Sequence, residues 1–220
     1  GHYDKLSDGI SEAIAGVLPE PQSGSIYNIL DAGCGEGFYL KRLKDNLSRS
    51  HRDPTDFNYF GVDISKYAVQ QATQRDRTMN WFVASIIDLP FMQASLDIVL
   101  NVFSPINFPE FSRILKDTGR LVIAHPGPRH LNGLREVIYP VAREHEESDL
   151  VEQASGLFSL SNRARVNFQL ELASGEIMDL LAMTPYFWNI DLDTRSRVEA
   201  LDRLALDVDV VISTFSKAGG

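Results

Sequence analysis

Ile29-Leu-Asp-Ala-Gly-Cys-Gly-Glu-Gly-Phe-Tyr-Leu40 is the stretch on which the reading of this chain turns. The apolar residues 26–30 end at Asp31, glycines stand at 33, 35 and 37, and residues 38–47 return to helix-forming types. The segment therefore reads as strand, tight loop and helix. Glycines at such a turn remove the Cβ atoms that would keep the backbone away from a ligand, and the helix start offers unpaired N–H groups. Two nucleotide-binding patterns are excluded by single positions. The dinucleotide fingerprint needs glycine three residues beyond Gly35, where Phe38 stands, and the P-loop needs a Gly-Lys-Ser/Thr ending that the stretch lacks. What remains is D-x-G-x-G-x-G: an acid closing the strand, then alternating glycines.

Working outward, residues 58–62 read as a second strand that ends at Asp63, with Ser65 placed to cap the next helix. A carboxylate there is positioned to accept both hydroxyls of a ribose. Phe82-Val83-Ala84-Ser85 followed by Asp88-Leu89-Pro90-Phe91 supplies a third strand and loop. Taken in order, these segments resemble the cofactor-binding half of Rossmann-like, seven-stranded methyltransferases. The resemblance implies an α/β fold with a mostly parallel sheet and an antiparallel last strand. It also implies S-adenosyl-L-methionine as cofactor, contacted by Asp31, Gly33, Gly35, Gly37, Asp63, Ile64, Ala84 and Ser85.

At 220 residues the chain is long enough for one sizeable core, so a single domain over 1–220 is expected. Within it, 1–20 is a helical segment, 21–125 the cofactor half and 126–220 the substrate side. A hydrophobic share of 44% and a charged share of 23% suit a soluble enzyme. No run of about eighteen apolar residues and no leader pattern is present, so no membrane partner is expected and the cytoplasm is the default address. The single cysteine, Cys34, excludes an internal disulfide and a cysteine-rich zinc site, so no metal is expected. Its place inside the glycine loop reads as packing. A net charge of −9 argues against a broad electropositive face, yet basic residues gather at 41–44, at 49–52 and at Arg163 and Arg165. Charge alone leaves the partner open, and a homodimer through the acidic surface is admitted.

The rest of the chain follows by pattern. Leu6, Ile10, Ile14 and Val17 are at helical spacing, which predicts a helix over 5–18. Residues 48–56 read as loop, 65–75 as helix and 81–84 as strand. The continuous apolar run 96–100 predicts a strand buried on both faces, ending at Asn101-Val102-Phe103-Ser104-Pro105, at the strand end where open α/β sheets bind ligands. Then come a helix over 108–115, a turn at 117–119 and a strand over 120–124. His125-Pro-Gly-Pro-Arg-His-Leu131 is a stiff loop presenting Arg129 and His130 beside the site. A helix over 131–143, an exposed acidic run over 144–152, a strand over 165–172, a helix over 175–183, an aromatic loop over 184–188, a helix over 195–206 and a last strand over 208–215 complete the expectation.

A narrower resemblance rests on Gly1-His2-Tyr3, Gly61-Val62-Asp63-Ile64-Ser65-Lys66, Pro126-Gly127-Pro128-Arg129-His130-Leu131 and Met183-Thr184-Pro185 through Trp188. With the glycine loop, these are similar to the bacterial 23S ribosomal RNA guanine-N1 methyltransferases. The likeness implies a hairpin of 23S rRNA as substrate and cofactor contacts from Tyr3, Gly35, Glu36 and His130. Members of that family carry a cysteine/histidine zinc module ahead of the catalytic domain, and these residues contain none. Asn101, Arg129 and His130 are the candidate catalytic groups, and Asn101 is also a cofactor candidate. Phe103, Ser104, Pro105, Arg129, Thr184, Pro185 and Trp188 are the substrate-side candidates. A small-molecule methyltransferase on the same fold and a non-catalytic cofactor-binding module are the competing readings.

Overall fold

The computed structural model describes residues 2–18, 25–49, 56–139 and 149–218, without the side chains of Pro185 and Trp188. Helix α1 (Asp4–Ala15) precedes strand β1 (Tyr27–Ala32), α2 (Phe38–Arg49), β2 (Phe57–Asp63), α3 (Lys66–Arg75) and β3 (Asn80–Val83). There follow β4 (Leu96–Val102), α4 (Phe108–Ile114), β5 (Leu115–Pro126), α5 (Asn132–Ile138) and α6 (Leu150–Ala154). Strand β6 (Phe158–Ala173), α7 (Ser174–Ala182), a 3-10 helix (Pro185–Trp188), α8 (Leu192–Glu199) and β7 (Arg203–Lys217) complete the order.

The strands form one seven-stranded sheet in the order β3-β2-β1-β4-β5-β7-β6. Pairings from β3 through β5 are parallel, while β7 inserts antiparallel between β5 and β6. Leu30, Val99, Leu121 and Ile123 enter a core on one face with Phe108, Phe111 and Phe215. Ile29, Ile98, Val122 and Ile212 enter the other with Leu6, Ile10, Leu40 and Leu181. Both faces of the central strands are thus covered by helices, which is why they read as unbroken apolar runs.

Several expectations are corrected. The 195–206 helix stops at Glu199, and β7 already begins at Arg203 because Ala173 pairs with it across the β6–β7 ladder. Strand β6 is 16 residues long and starts at Phe158, seven residues before the expected edge. Past the buried Phe158, its first half is exposed on both faces, so it lacks the alternation that marks a half-buried strand. The turn at 117–119 is a bulge within β5: Leu96 pairs with Leu115 while Ile98 pairs with Arg120, so extra residues loop out of the ladder. The helix expected over 131–143 spans Asn132–Ile138, its C-cap Tyr139 is extended, and 140–143 lie outside the described residues. Of the acidic run, 144–148 lies outside the described residues, and Leu150 within it is buried in α6. Residues 50–55 of the expected 48–56 loop are likewise outside.

Candidate functional site

The carboxyl ends of β1, β2 and β4 meet around the glycine loop. Gly33 N–H and Cys34 N–H both donate to the Val62 carbonyl, at 2.8 and 2.9 Å, hooking the loop onto β2. Gly35 N–H donates to Asp63 Oδ2 at 2.9 Å, and Ser65 N–H to Asp63 Oδ1 at 2.8 Å. Each Asp63 oxygen is thereby oriented by one backbone donor and retains a lone pair for a further donor. Gly33 has φ +84°, and a Cβ there would collide with the Ser104 hydroxyl. Gly35 has φ +52°, and the space where its Cβ would stand is open.

A cleft of about 420 Å³ lies beside this loop, and Gly33, Asp63, Ile64, Ala84, Ser85 and Ser104 are among its walls. Pro105, Ile106 and Asn107 also line it. Ile64 and Ile87, each 76% exposed, present aliphatic groups to it. The loop carrying Ile87 is braced from below: Leu89 N–H donates to Glu110 Oε1 at 2.7 Å, and Arg113 bonds the carbonyls of Leu89 and Phe91.

Asp31 closes β1 at 1% exposure, and neither of its oxygens accepts a hydrogen bond among the described residues. Burial, and then the charge of Asp63, push its carboxyl up to about 7. Burial also raises the Cys34 thiol, with Asp31 and Asp63 adding to it, so this buried thiol is held protonated and does not serve as a nucleophile. Tyr39, at the start of α2, has its hydroxyl raised by burial and then by its neighbours Tyr3 and Asp31. Tyr3, at the N-cap of α1, packs with Tyr39 against the core that Leu6 and Leu40 enter. Arg42 holds α1 there, donating to Ser7 Oγ and lying 3.5 Å from Asp4.

Other candidates are placed differently. Asn101 is buried, its amide nitrogen donating to the carbonyls of Ala32 and Pro105 at 3.0 Å each, so it ties the glycine-loop strand to the loop after β4. Glu36 lies at the loop's outer side, where Arg75 bonds its carbonyl at 2.9 Å and lies 3.7 Å from its carboxylate. Phe103, 41% exposed and left-handed at φ +50°, stacks on His130 with centroids 5.3 Å apart. Arg129 is exposed and bonded to Asp207 at 2.8 Å. Thr184 is buried with its hydroxyl on the Leu181 carbonyl, and the segment after it packs among helices: Tyr186 lies edge-on to Tyr139 and Phe187 beneath Arg195. The Pro185 and Trp188 side chains lie outside the described residues.

Sequence reasoning missed Ile87, Tyr39, Asp207 and Asp209. The acids of β7 leave one signal, a D-x-D pair inside an apolar run. Among the described residues no cluster of metal-ligating side chains occurs, and no helix is long and apolar enough to cross a membrane.

A family model described as a methyltransferase domain matches residues 29–123, the half of the sheet that carries this cleft. With the strand order and the glycine loop, it defines an S-adenosylmethionine-dependent methyltransferase. A protein of Bacillus subtilis named as a 23S rRNA (guanine-N(1)-)-methyltransferase, YxjB, is 31% identical over 96% of this chain and 74% of its own length. The 23S rRNA (guanine(748)-N(1))-methyltransferase of Streptomyces fradiae is 30% identical over 90% of this chain and 68% of its own. The chain belongs to the 23S rRNA guanine-N1-methyltransferase family. Among solved structures, the YcgJ protein of Bacillus subtilis shares the fold, with a TM-score of 0.60 at 17% identity over 100% of each chain.

Proposed function

We propose that this chain transfers a methyl group from S-adenosylmethionine to N1 of a guanine in 23S ribosomal RNA. The observation that carries the reading is the stacked Phe103–His130 pair, an exposed ring platform one residue from the cleft wall at Ser104. An RNA base splayed out of its stack is recognised by such aromatic faces, and the family membership of the chain supplies the base and the atom.

The residues of the cleft fit the cofactor. Asp63, with a lone pair free on each oriented oxygen, would accept the ribose hydroxyls, and Ile64 and Ile87 would flank the adenine. Gly35 would let the backbone approach closely. The unpartnered oxygens of Asp31 would receive the positive charge of the methionine end, and that ligand would draw its proton off. When bound, the cofactor supplies a methyl on a sulfonium, whose carbon–sulfur electron pair returns to sulfur as the new bond to N1 forms. The N1 proton passes to solvent. The chain itself contributes alignment, through Phe103 stacking on the base and through the rigid strand ends that hold both partners. Arg129, exposed beside this platform, would meet the RNA backbone, and Asn101 would keep the two ligand loops in register.

The test is incubation with labelled S-adenosylmethionine and 23S rRNA transcripts, against a low-molecular-weight extract as the competing substrate. Label in RNA recovered as 1-methylguanosine supports the reading. Label only in small molecules, which the net charge of −9 would suit, replaces it with the small-molecule alternative, and cofactor binding without turnover replaces it with a non-catalytic module.

A further inference from the structure

Strand β7 outruns the strand beside it. Its pairing with β5 ends at Val210, opposite Pro126, whereas Arg203–Asp209 pair on with Ala173–Asn167 of β6. A two-stranded ribbon therefore stands beyond the carboxyl edge of the sheet, the edge that carries the cleft. Such a ribbon is not stable alone, and one of its faces is covered: Leu204, Leu206 and Val208 enter the core with Leu180 of α7 and Val198 of α8. Asp207 and Asp209, two residues apart, share the opposite face.

The loop after β5 is laced onto this ribbon. Gly127 N–H donates to the Asp209 carbonyl at 2.8 Å and Leu131 N–H to the Asp207 carbonyl at 2.7 Å. Between them, Arg129 is held at both ends. Its backbone N–H donates to Asp209 Oδ2 at 2.9 Å and its Nη2 to Asp207 Oδ2 at 2.8 Å. The side chain is thus laid along the strand, over the rise of about 7 Å between two residues on one face. Both acids are buried, and Gln169 and Arg165 bond them as well. Arg129, in contrast, keeps 57% of its side chain exposed, and Asp207 is the acceptor of its guanidinium among the described residues. The rest of its planar fork of donors faces water. An ion pair with one partner in water adds little to stability. What Asp207 changes is the freedom of the arginine, because a side chain already fixed gives up less entropy when an anion arrives.

The place of this cation along the edge names the anion. Phe103 N–H donates to the Ala124 carbonyl at 3.0 Å, so the edge runs from the cleft wall at Ser104 through Phe103 to the loop of residues 127–131 and on to the ribbon. We propose that Asp207 is a positioning residue for RNA binding, holding the Arg129 guanidinium over the β6–β7 ribbon as a fixed contact for a backbone phosphate of the strand whose base enters at Phe103. This rests on the guanine reading. A chain with a net charge of −9 repels RNA at long range, so the contact is made by a cation held in place rather than by a broad basic face. The guanidinium fork suits a phosphate.

Steady-state methylation of a 23S rRNA transcript, and equilibrium binding of the same transcript over a range of salt, test it. Arg129→Ala should raise KM and the RNA dissociation constant about tenfold, with kcat kept within about threefold, the pattern of a contact that is equal in the ground and transition states. The slope of log affinity against log salt should become shallower by about one, the mark of a lost phosphate contact. Asp207→Ala supplies the opposing sign. Removing a carboxylate from this edge would by charge alone tighten RNA binding, whereas loss of positioning weakens it, and KM should rise by about threefold or more. In the Arg129→Ala background the same change should cause no further rise. Asp207→Asn, which keeps the size of the side chain and one acceptor oxygen, should lie between the unaltered chain and Asp207→Ala, and circular dichroism checks that each variant folds. RNA binding unchanged or tighter in Asp207→Ala, an unaltered salt slope in Arg129→Ala, or additive losses overturns the inference. So does weaker binding of S-adenosylmethionine with RNA affinity intact, which would make Arg129 a ligand of the cofactor's carboxylate. An unaltered chain that methylates no RNA overturns the functional reading and this inference with it, whereas an active chain whose variants keep KM and salt slope overturns the inference alone.

Discussion

Replacing Asp31 by Asn should make the ligand-free chain more stable in mildly alkaline solution and leave it unchanged in acid. The Asp31 carboxyl is raised from its ordinary 3.8 to about 7, by burial first and by the Asp63 charge second. For an acid raised on folding, the folded chain keeps a proton that the unfolded chain gives up. Its contribution is therefore intact below about pH 4, is lost as the pH climbs through about 7, and stays lost above that. The gap corresponds to a penalty of roughly 4 kcal/mol on the charged form, an upper bound because water entry and local relaxation relieve part of it. A gain of about 2 kcal/mol for Asp31→Asn at pH 8 is the expected outcome. Urea unfolding of both chains at pH 5 and pH 8 measures it: midpoints lie closer together at the lower pH, where only part of the penalty has developed, and separate fully at the higher, with Asn the more resistant. Equal midpoints at pH 8, or a more stable Asp31 chain, would refute the reasoning. The same variant should lose cofactor affinity by roughly tenfold to a hundredfold, because a ligand cation loses its charged partner. Stability gained with binding lost is the pattern of a group kept for function.

Three further outcomes follow from the loop and its supports. Gly35→Ala should fold with a cost of about 1 kcal/mol for its left-handed backbone, yet bind S-adenosylmethionine at least tenfold more weakly, since its new methyl stands in the open approach; isothermal titration reads this. Gly33→Ala meets the Ser104 hydroxyl as well as the wrong backbone region, and should lower the melting temperature far more than Gly35→Ala in the same calorimeter. Glu110→Ala removes the acceptor of Leu89 N–H and the partner of Arg113; a loss of about 2–3 kcal/mol is expected, which for a chain of this size lowers the melting temperature by roughly 5–10 °C.

The fold was legible because its deciding signals are local. Asp31 with three alternating glycines, Asp63 closing the next strand, and the unbroken apolar run at 96–100 each specify one strand end, and three strand ends in order specify a parallel sheet. The candidate cleft lies where those ends meet. What escaped was set by pairing rather than by pattern. Past Phe158, the first half of β6 carries no alternation because its residues are exposed on both faces, and its existence is dictated by the β7 ladder. The α8 boundary moved for the same reason: the residues after 202 suit a helix, but the register with β6 draws them into a strand. Glu110 and Asp209 were unreadable as supports, since their partners lie 21 and 44 residues away and meet only in the fold. His130 was legible as a loop residue, whereas the strand backbone that bonds its Nδ1 is 79 residues distant.

The most direct test of the central claim is the identity of the modified atom. After reaction of the chain with 23S rRNA and S-adenosylmethionine, reverse transcription of the product should halt at a single guanine, because a methyl on N1 removes that base's pairing edge. Mass spectrometry of the digested RNA should return 1-methylguanosine at that position. Full-length read-through with methyl found elsewhere, or no methyl in RNA while a small acceptor is labelled, would contradict the account.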